Sequence, residues 1–164
     1  MAIEMLDRVN VLDLFAGKSE VWRRLSPDTY LGIEIEKGKN PDAIVGDNRK
    51  IIPTLDLSRF NVIDCDSYGV PATQIKLLYE NKTLQTGTVI LYTCISNSVS
   101  SMPKSLREYA GIKKEAYVKR PSMFNAYNVP LFYDLLASLG VRMVTEYEGH
   151  TGYGYTKKYG YFVV

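Results

Sequence analysis

The chain has 164 residues, of which 46% are hydrophobic and 23% are charged, and its formal net charge is +2. This is the composition of an ordinary globular protein at about 100–200 residues per domain, and it excludes disordered, collagen-like and coiled-coil classes. The longest apolar runs fall far short of the ~20 residues of a membrane-spanning helix, so we expect no membrane partner, and the N-terminus lacks the pattern of a signal peptide. Two cysteines, Cys65 and Cys94, are too few for a disulfide framework or a zinc site and indicate a reducing cytoplasm.

Strands and helices alternate along the first hundred residues. Apolar runs predict strands at 9–15, 30–34, 43–45, 60–66 and 88–93, and helical patterns are found at 19–25 and 72–81. Ser19 is a candidate N-cap of the first helix. Such alternation predicts parallel strands joined by right-handed crossovers, with helices covering both faces of the sheet.

The alternation stops after Cys94 and a helical pattern returns only at 130–139, where Gly140 is expected to end the helix. Runs rich in β-formers at 141–147 and 159–164 predict a terminal antiparallel hairpin. The sequence therefore predicts one α/β domain over residues 1–164, with an inserted segment near 95–127.

Acidic and small residues stand at the ends of four consecutive predicted strands. They are Asp13 to Gly17 after the first strand, Glu34 on the second, Asp47 and Asn48 after the third, and Asp64 to Pro71 after the fourth. A single glycine or acid at such a place is usually only a turn or a helix cap. Because ligands of open parallel sheets bind at the carboxyl ends of the strands, the whole series predicts one ligand site at that edge.

The first of these elements, Val11-Leu12-Asp13-Leu14-Phe15-Ala16-Gly17, resembles the first motif of class I S-adenosylmethionine-dependent methyltransferases. Glu34 falls where that family holds the ribose hydroxyls, and Gly46-Asp47-Asn48 resembles its adenine-edge element. The resemblance implies a Rossmann-like α/β fold, a seven-stranded methyltransferase sheet that is mostly parallel with a C-terminal antiparallel hairpin, and S-adenosylmethionine as cofactor. The cofactor contacts it implies are Asp13, Phe15, Ala16, Gly17, Glu34, Asp47, Asn48 and Asp64. One departure is Ser19, at a position where the family often has a second glycine.

The element after the fourth strand, Asp64-Cys65-Asp66-Ser67-Tyr68-Gly69-Val70-Pro71, resembles the Asp-Leu-Asp-Pro-Phe-Gly-Ser-Pro element of tRNA guanine-N2 methyltransferases, with Ser67 in place of the proline. The resemblance implies that Asp66 and Tyr68 are catalytic, the carboxylate orienting an exocyclic amine and the ring stacking on the base, with Ser67 in the substrate site. An amine conjugated to a base ring is a poor nucleophile until it is oriented. Stacking on an aromatic side chain adds roughly 1–3 kcal/mol per base. The alternative is a loop carboxylate that caps the following helix.

The inserted segment is basic between Lys104 and Arg120, where six positive residues stand against two negative ones. Lys113 and Lys114 are candidate contacts to the phosphates of a substrate, and interleaved tyrosines suit unstacked bases. A solvated loop would carry the same charges. We expect a nucleic-acid partner, with RNA favoured over DNA.

These features predict a methyltransferase that uses S-adenosylmethionine, needs no metal, and methylates an exocyclic amine of a base in RNA (tRNA or rRNA) or DNA. Three alternatives stay open. One is a small-molecule methyltransferase with the insert as a lid, and another is a non-catalytic binding module of the same fold. The third is nucleophilic attack by Cys94, because Thr93-Cys94 faintly resembles an element of RNA cytosine-C5 methyltransferases. A homodimer or a partner chain is expected to complete substrate recognition.

Overall fold

The computed structural model describes residues 6–96, 101–150 and 156–164, except for the side chains of Ser96 and His150. The strands are β1 (Asn10–Asp13), β2 (Thr29–Glu34), β3 (Ala43–Val45), β4 (Val62–Cys65), β5 (Val89–Ser96), β6 (Thr145–His150) and β7 (Thr156–Val163). The helices are α1 (Glu20–Leu25), α2 (Asn48–Ile51), α3 (Ala72–Glu80), α4 (Lys104–Tyr109), α5 (Lys114–Lys119), α6 (Pro121–Asn125) and α7 (Asn128–Ser138). In this part of the chain, every helix is too short or too polar to cross a lipid bilayer.

The seven strands form one sheet in the order β3-β2-β1-β4-β5-β7-β6. Strands β1 to β5 are parallel to one another, whereas β7 is antiparallel to both β5 and β6. The predicted fold class, a mostly parallel α/β sheet with an antiparallel C-terminal pair, is confirmed. The turn between β6 and β7 lies outside the described residues.

The predicted elements are all present, with shifted ends. Strand β5 continues to Ser96, beyond the predicted end at 93, because β7 pairs with it along its whole length. Strand β6 begins only at Thr145, since Val141 and Val144 pack against the core from a loop. Gly140 ends α7 as predicted, in a turn in which Val141 N–H donates to Leu136 O.

The main core lies on one face of the sheet, called the back face here. Leu12, Ile63, Ile90 and Phe162 lie side by side on adjacent strands and are buried beneath the α3 and α7 layer. Burial of apolar area is the main stabilising term of such a core. Phe132 is fully buried in the same cluster and fixes α7 against the sheet.

The opposite face, called the front face, has a small core of Val11, Val62 and Trp22 of α1. Helix α1 has only six residues, and the connection from β2 to β3 is a loop. Tyr147 and Tyr159, paired across β6 and β7, consequently remain 65% and 47% exposed. The expectation that helices cover both faces is therefore wrong for this half of the front face.

The inserted segment folds as the short helices α4 to α6 and packs on the back layer. Leu106 is buried in the main core, and the Ser105 hydroxyl lies 2.9 Å from that of Thr73 on α3. Tyr109 donates to the carbonyl of Asp134 on α7 at 3.0 Å. The insert is thereby attached to the helices rather than to the front face.

Candidate functional site

The loop after β1 is held between its two neighbouring strands. Leu14 N–H donates to Asp64 O at 2.9 Å, and Ala16 N–H donates to Ile33 O at 3.0 Å. Gly17 has a φ of +50°, a left-handed conformation that favours glycine, and its N–H donates to Glu34 Oε2 at 2.9 Å. The loop thus reaches the carboxyl end of β2, as the sequence predicts.

Ser19 has a different role from the predicted one. It precedes α1 but its side chain makes no capping bond, because the residue is left-handed with φ 55°. Its buried hydroxyl lies 3.1 Å from Ala16 O and 2.5 Å from Tyr30 Oη, and it accepts from Asn40 Nδ2 at 2.5 Å. Ser19 therefore adopts a left-handed backbone conformation that glycine takes readily. The hydrogen bonds of its hydroxyl offset the strain of that conformation.

Asp13 and Asp64 occupy paired positions on β1 and β4. Asp13 accepts from Phe15 N–H and from Tyr30 Oη, each at 3.0 Å, and Asp64 accepts from Trp22 Nε1 at 2.8 Å. Burial raises the pKa of Asp13 to about 6, against the effect of those hydrogen bonds. Burial, followed by the charge of Asp13, raises the pKa of Asp64 to about 7. Near neutral pH the pair carries less than its full negative charge.

Glu34, Asp47 and Asn48 lie at the ends of β2 and β3, where the sequence places them, and all are engaged within the protein. Glu34 also accepts from Glu36 N–H at 3.0 Å, and Asp47 caps α2 and pairs with Arg49 at 2.7 Å. Asn48 is buried and donates to Leu14 O at 2.7 Å. Glu34 and Asn48 thereby fix the loop after β1, whereas the contacts of Asp47 are with Arg49 at the start of α2.

A cavity of about 520 Å³ lies between α1 and the front face, within the range of about 300–1,000 Å³ typical of ligand pockets. Tyr147, Tyr159 and Tyr161 form its aromatic wall. The predicted site residues that line it are Asp13, Phe15, Ala16, Gly17, Asp64 and Asp66. The structure therefore brings the first and fourth strand-end elements together around one cavity.

The residues after β4 differ sharply in exposure. Tyr68 is fully exposed and the Asp66 side chain is 54% exposed, whereas Ser67 is buried with its hydroxyl 3.5 Å from Thr93 O. Asp66 Oδ1 also lies 3.5 Å from Lys157 Nζ on β7. Sequence reasoning missed Lys157, because only the antiparallel register of β5 and β7 brings it to the end of β4.

The two candidate phosphate-binding lysines of the insert and the candidate nucleophile Cys94 lie away from the cavity. Lys113 and Lys114 are exposed at the start of α5, and neither lines the cavity. Cys94 is fully buried in the back-face core, and burial raises the pKa of its thiol well above the ordinary range. Its neighbour Thr93 faces the cavity instead, so the cysteine has no path to a ligand there.

No protein-family model matches the chain, and no curated protein matches its sequence. Solved structures match its fold. A SAM dependent methyltransferase from Archaeoglobus fulgidus has 12% identity and a TM-score of 0.61, with 96% of this chain and 87% of that one covered. A putative O-methyltransferase from Klebsiella pneumoniae has 11% identity and a TM-score of 0.60, covering 98% and 76%. The N-terminal domain of EvdMO1 with SAH bound has 15% identity and a TM-score of 0.52, covering 96% and 75%. The chain therefore has the fold of S-adenosylmethionine-dependent methyltransferases.

Proposed function

We propose that the protein transfers a methyl group from S-adenosylmethionine to an exocyclic amine of a nucleic-acid base. The observation that carries this proposal is the cavity at the carboxyl ends of β1 and β4. It joins the left-handed Gly17 loop to the Asp66 carboxylate, and Tyr68 stands fully exposed two residues further on.

The residues around the Gly17 loop fit the proposed cofactor. The positive φ of Gly17 brings backbone to the cavity wall, and Asp13 and Asp64 offer carboxylates to a cationic ligand. Because burial disfavours the ionised form of both acids, a cation in the cavity would restore their charge. S-Adenosylmethionine supplies an electrophilic methyl group on a cationic sulfur. Glu34, Asp47 and Asn48 do not line this cavity. They would hold the nucleoside side of the cofactor beyond it, at the ends of β2 and β3.

Asp66 is the proposed orienting residue for the acceptor. Its half-exposed carboxylate can accept hydrogen bonds from an amine and hold the nitrogen lone pair toward the methyl group. The same carboxylate can take the proton that the amine loses after transfer. Tyr68 supplies an unhindered ring face for the base, and Lys113 and Lys114 would contact phosphates further along the polymer.

A small-molecule acceptor is the second candidate, because the cavity wall is aromatic and no lysine of the insert lines it. On this alternative the tyrosines enclose an aromatic or apolar acceptor. The two candidates differ in their response to salt, since phosphate contacts weaken steeply as salt rises.

Calorimetry with S-adenosylmethionine, followed by labelled methyl transfer to tRNA, rRNA, DNA and small-metabolite pools, tests the proposal. We expect binding of the cofactor and N-methylated nucleosides in one polymer pool, with transfer that falls as salt rises. Gly17→Leu should abolish cofactor binding, since a leucine is strained at this φ. Absence of affinity for the cofactor and its demethylated product in the wild-type protein would refute the enzymatic function.

Two variants test the assignment of the chemistry. Asp66→Ala should lower the rate by roughly 10²–10⁴-fold with little change in cofactor affinity, because the amine is no longer oriented. Cys94→Ala should stay within a few-fold of wild type, since the thiol is buried away from the cavity. A covalent adduct with a fluorinated cytosine that disappears in Cys94→Ala would instead establish the carbon-methylating route.

A further inference from the structure

We propose that Lys157 is a specificity-determining residue that, with Asp66 and Tyr159, recognises the edge of the acceptor heterocycle on which an exocyclic amine adjoins a ring nitrogen. This inference rests on the proposed function and names its substrate class more closely. It assigns a role to a residue of β7, which none of the sequence motifs includes.

The geometry places one ammonium group between a carboxylate and an aromatic ring. Lys157 Nζ lies 3.5 Å from Asp66 Oδ1 and 4.6 Å from the centroid of the Tyr159 ring. The Lys157 side chain is 23% exposed, so it is held against the protein and still reaches solvent. Asp66 and Tyr159 line the cavity, and Lys157 is not among its lining residues but contacts both of them. A hydrogen-bond donor and an acceptor therefore stand side by side next to the cavity and a ring face.

The chemistry of Lys157 and Asp66 gives each side chain one fixed hydrogen-bonding role. Burial lowers the pKa of Lys157, but the charge of Asp66 and contact with Tyr159 outweigh it, and the net shift is upward. The side chain consequently stays an ammonium, which donates and cannot accept. The carboxylate oxygens of Asp66 are the acceptors of the pair.

This donor–acceptor pair is complementary to one edge of the amine-bearing bases. In adenine, cytosine and guanine the exocyclic amine, a donor, is bonded to a carbon that also carries a ring nitrogen with a free lone pair. The amine would donate to Asp66 while that ring nitrogen accepts from Lys157, and both hydrogen bonds are of the stronger, charge-assisted kind. In the same placement uracil and thymine would turn a carbonyl oxygen toward Asp66 and the N3–H donor toward Lys157, so both contacts would pair like with like.

The aromatic wall supplies the third element of recognition. Tyr159 and Tyr147 are opposite each other in the β6–β7 register, and Tyr161 follows on the same face. A planar heterocycle held by Asp66 and Lys157 would lie against this wall, where stacking tolerates any base. Base discrimination is then assigned to the charged pair and not to the tyrosines.

The chain offers a matched control in the next residue. Lys158 lies on the opposite face of β7, with its Nζ 3.6 Å from Glu146 and 5.4 Å from the Tyr133 ring centroid. It thus repeats the arrangement of a lysine between a carboxylate and a tyrosine, but it faces the back layer. If the loss of any β7 lysine had a general effect on binding, Lys157→Met and Lys158→Met would behave alike. A role in base recognition predicts a changed base preference in Lys157→Met alone.

The test measures binding of cofactor-free protein to single-stranded oligoadenylate, oligocytidylate and oligouridylate of equal length, by fluorescence anisotropy. We expect wild type to prefer the adenine and cytosine oligomers over the uracil one. Lys157→Met should reduce that preference about tenfold, the scale of one specific base contact. Lys157→Arg should retain most of it, and Lys158→Met should leave it unchanged. The thermal midpoint of each variant checks that it is folded.

Three results would overturn the inference: no binding or no base preference in wild type, an unchanged preference in Lys157→Met, or an equal loss in Lys158→Met. The proposed function is judged separately by cofactor calorimetry and methyl transfer. A wild-type protein that methylates a base amine while Lys157→Met keeps its base preference refutes only the role of Lys157.

Discussion

At the scale of single residues, Ser19 shows how a departure from a sequence motif is accommodated. The glycine that the resemblance leads one to expect is a serine, yet the backbone there is still left-handed. Asn40 and Tyr30 contact its hydroxyl and fix it beside the loop that carries Gly17. The motif is thus preserved in backbone conformation and not in residue type.

Substitutions of Ser19 separate backbone strain from hydrogen bonding. Ser19→Gly loses the hydroxyl but relieves the strain, whereas Ser19→Ala loses the hydroxyl and keeps a φ that costs about 1–2 kcal/mol. We expect Ser19→Ala to lower the free energy of unfolding in urea by about 2–4 kcal/mol and Ser19→Gly by less. An alanine variant as stable as the glycine variant would contradict this account.

The raised pKa values of the cavity acids predict how stability changes with pH. Because the pKa of Asp64 is about 7 in the folded protein and its ordinary value is 3.8, the folded state binds more protons in between. Stability should therefore fall as the pH rises from about 4 to 7. Asp64→Asn, which can still accept from Trp22, should weaken this slope and be more stable than wild type at pH 8, by about 1–2 kcal/mol.

Asp47 provides the control for this measurement. Its pKa is lowered, mainly by the hydrogen bond from Arg49, so it stays ionised from pH 5 to 8 in both states. Asp47→Asn should lower the free energy of unfolding equally at the two ends of that range. A pH slope in Asp64→Asn as steep as that of wild type would show that Asp64 is not the titrating group.

At the scale of elements, strand β7 depends on one close approach. A Cβ on Gly160 would lie well inside contact distance of the Tyr92 ring. The Tyr92 side chain is buried, and its hydroxyl donates to Glu146 Oε1 at 2.6 Å. Its ring meets that of Phe132 edge-on, with the centroids 5.3 Å apart, so it has little room to move. Gly160 is therefore required by the packing of the back-face core.

Gly160→Ala should destabilise the protein by about 1–3 kcal/mol, the usual cost of overpacking. The thermal midpoint should then fall by roughly 3–10 °C. Gly149→Ala on β6 is the control, because its Cβ would meet Tyr159 at an ordinary 3.6 Å. Equal midpoints for the two variants would show that the Tyr92 ring can shift.

The elements also show what the sequence could predict. Hydrophobic runs and strand-end acids predict β1 to β5 and one site at their carboxyl ends, because parallel strands bring those ends to the same edge. The pairing of Asp13 with Asp64 comes from the strand order, which the sequence analysis does not predict. The contact of Lys157 with Asp66 depends on the register of the terminal strands, which no local pattern encodes. The helices of the insert are shorter than two turns each, and tertiary packing rather than periodicity determines them.

At the scale of the whole molecule, the two faces of the sheet differ in how they are closed. The back face has a continuous apolar cluster beneath α3 and α7, while the front face has a cavity under α1. The proposed cofactor, the acceptor heterocycle and α1 would then share the front face. Ligand binding there adds contacts on the less densely packed side of the sheet.

The slight attachment of α1 has a consequence for hydrogen exchange. Trp22 is the one buried residue of this helix, so its release would expose the small front-face core and break the hydrogen bond to Asp64, while the separate back-face core keeps its contacts. Such local openings have a much lower free energy than global unfolding. The amides of 17–25 should accordingly exchange faster than those of β1 and β4 in the free protein. S-Adenosylmethionine at 100 times its dissociation constant should slow them by about 100-fold while the amides of α7 change little. Uniform slowing throughout the chain would mean that α1 and the sheet open as a single unit.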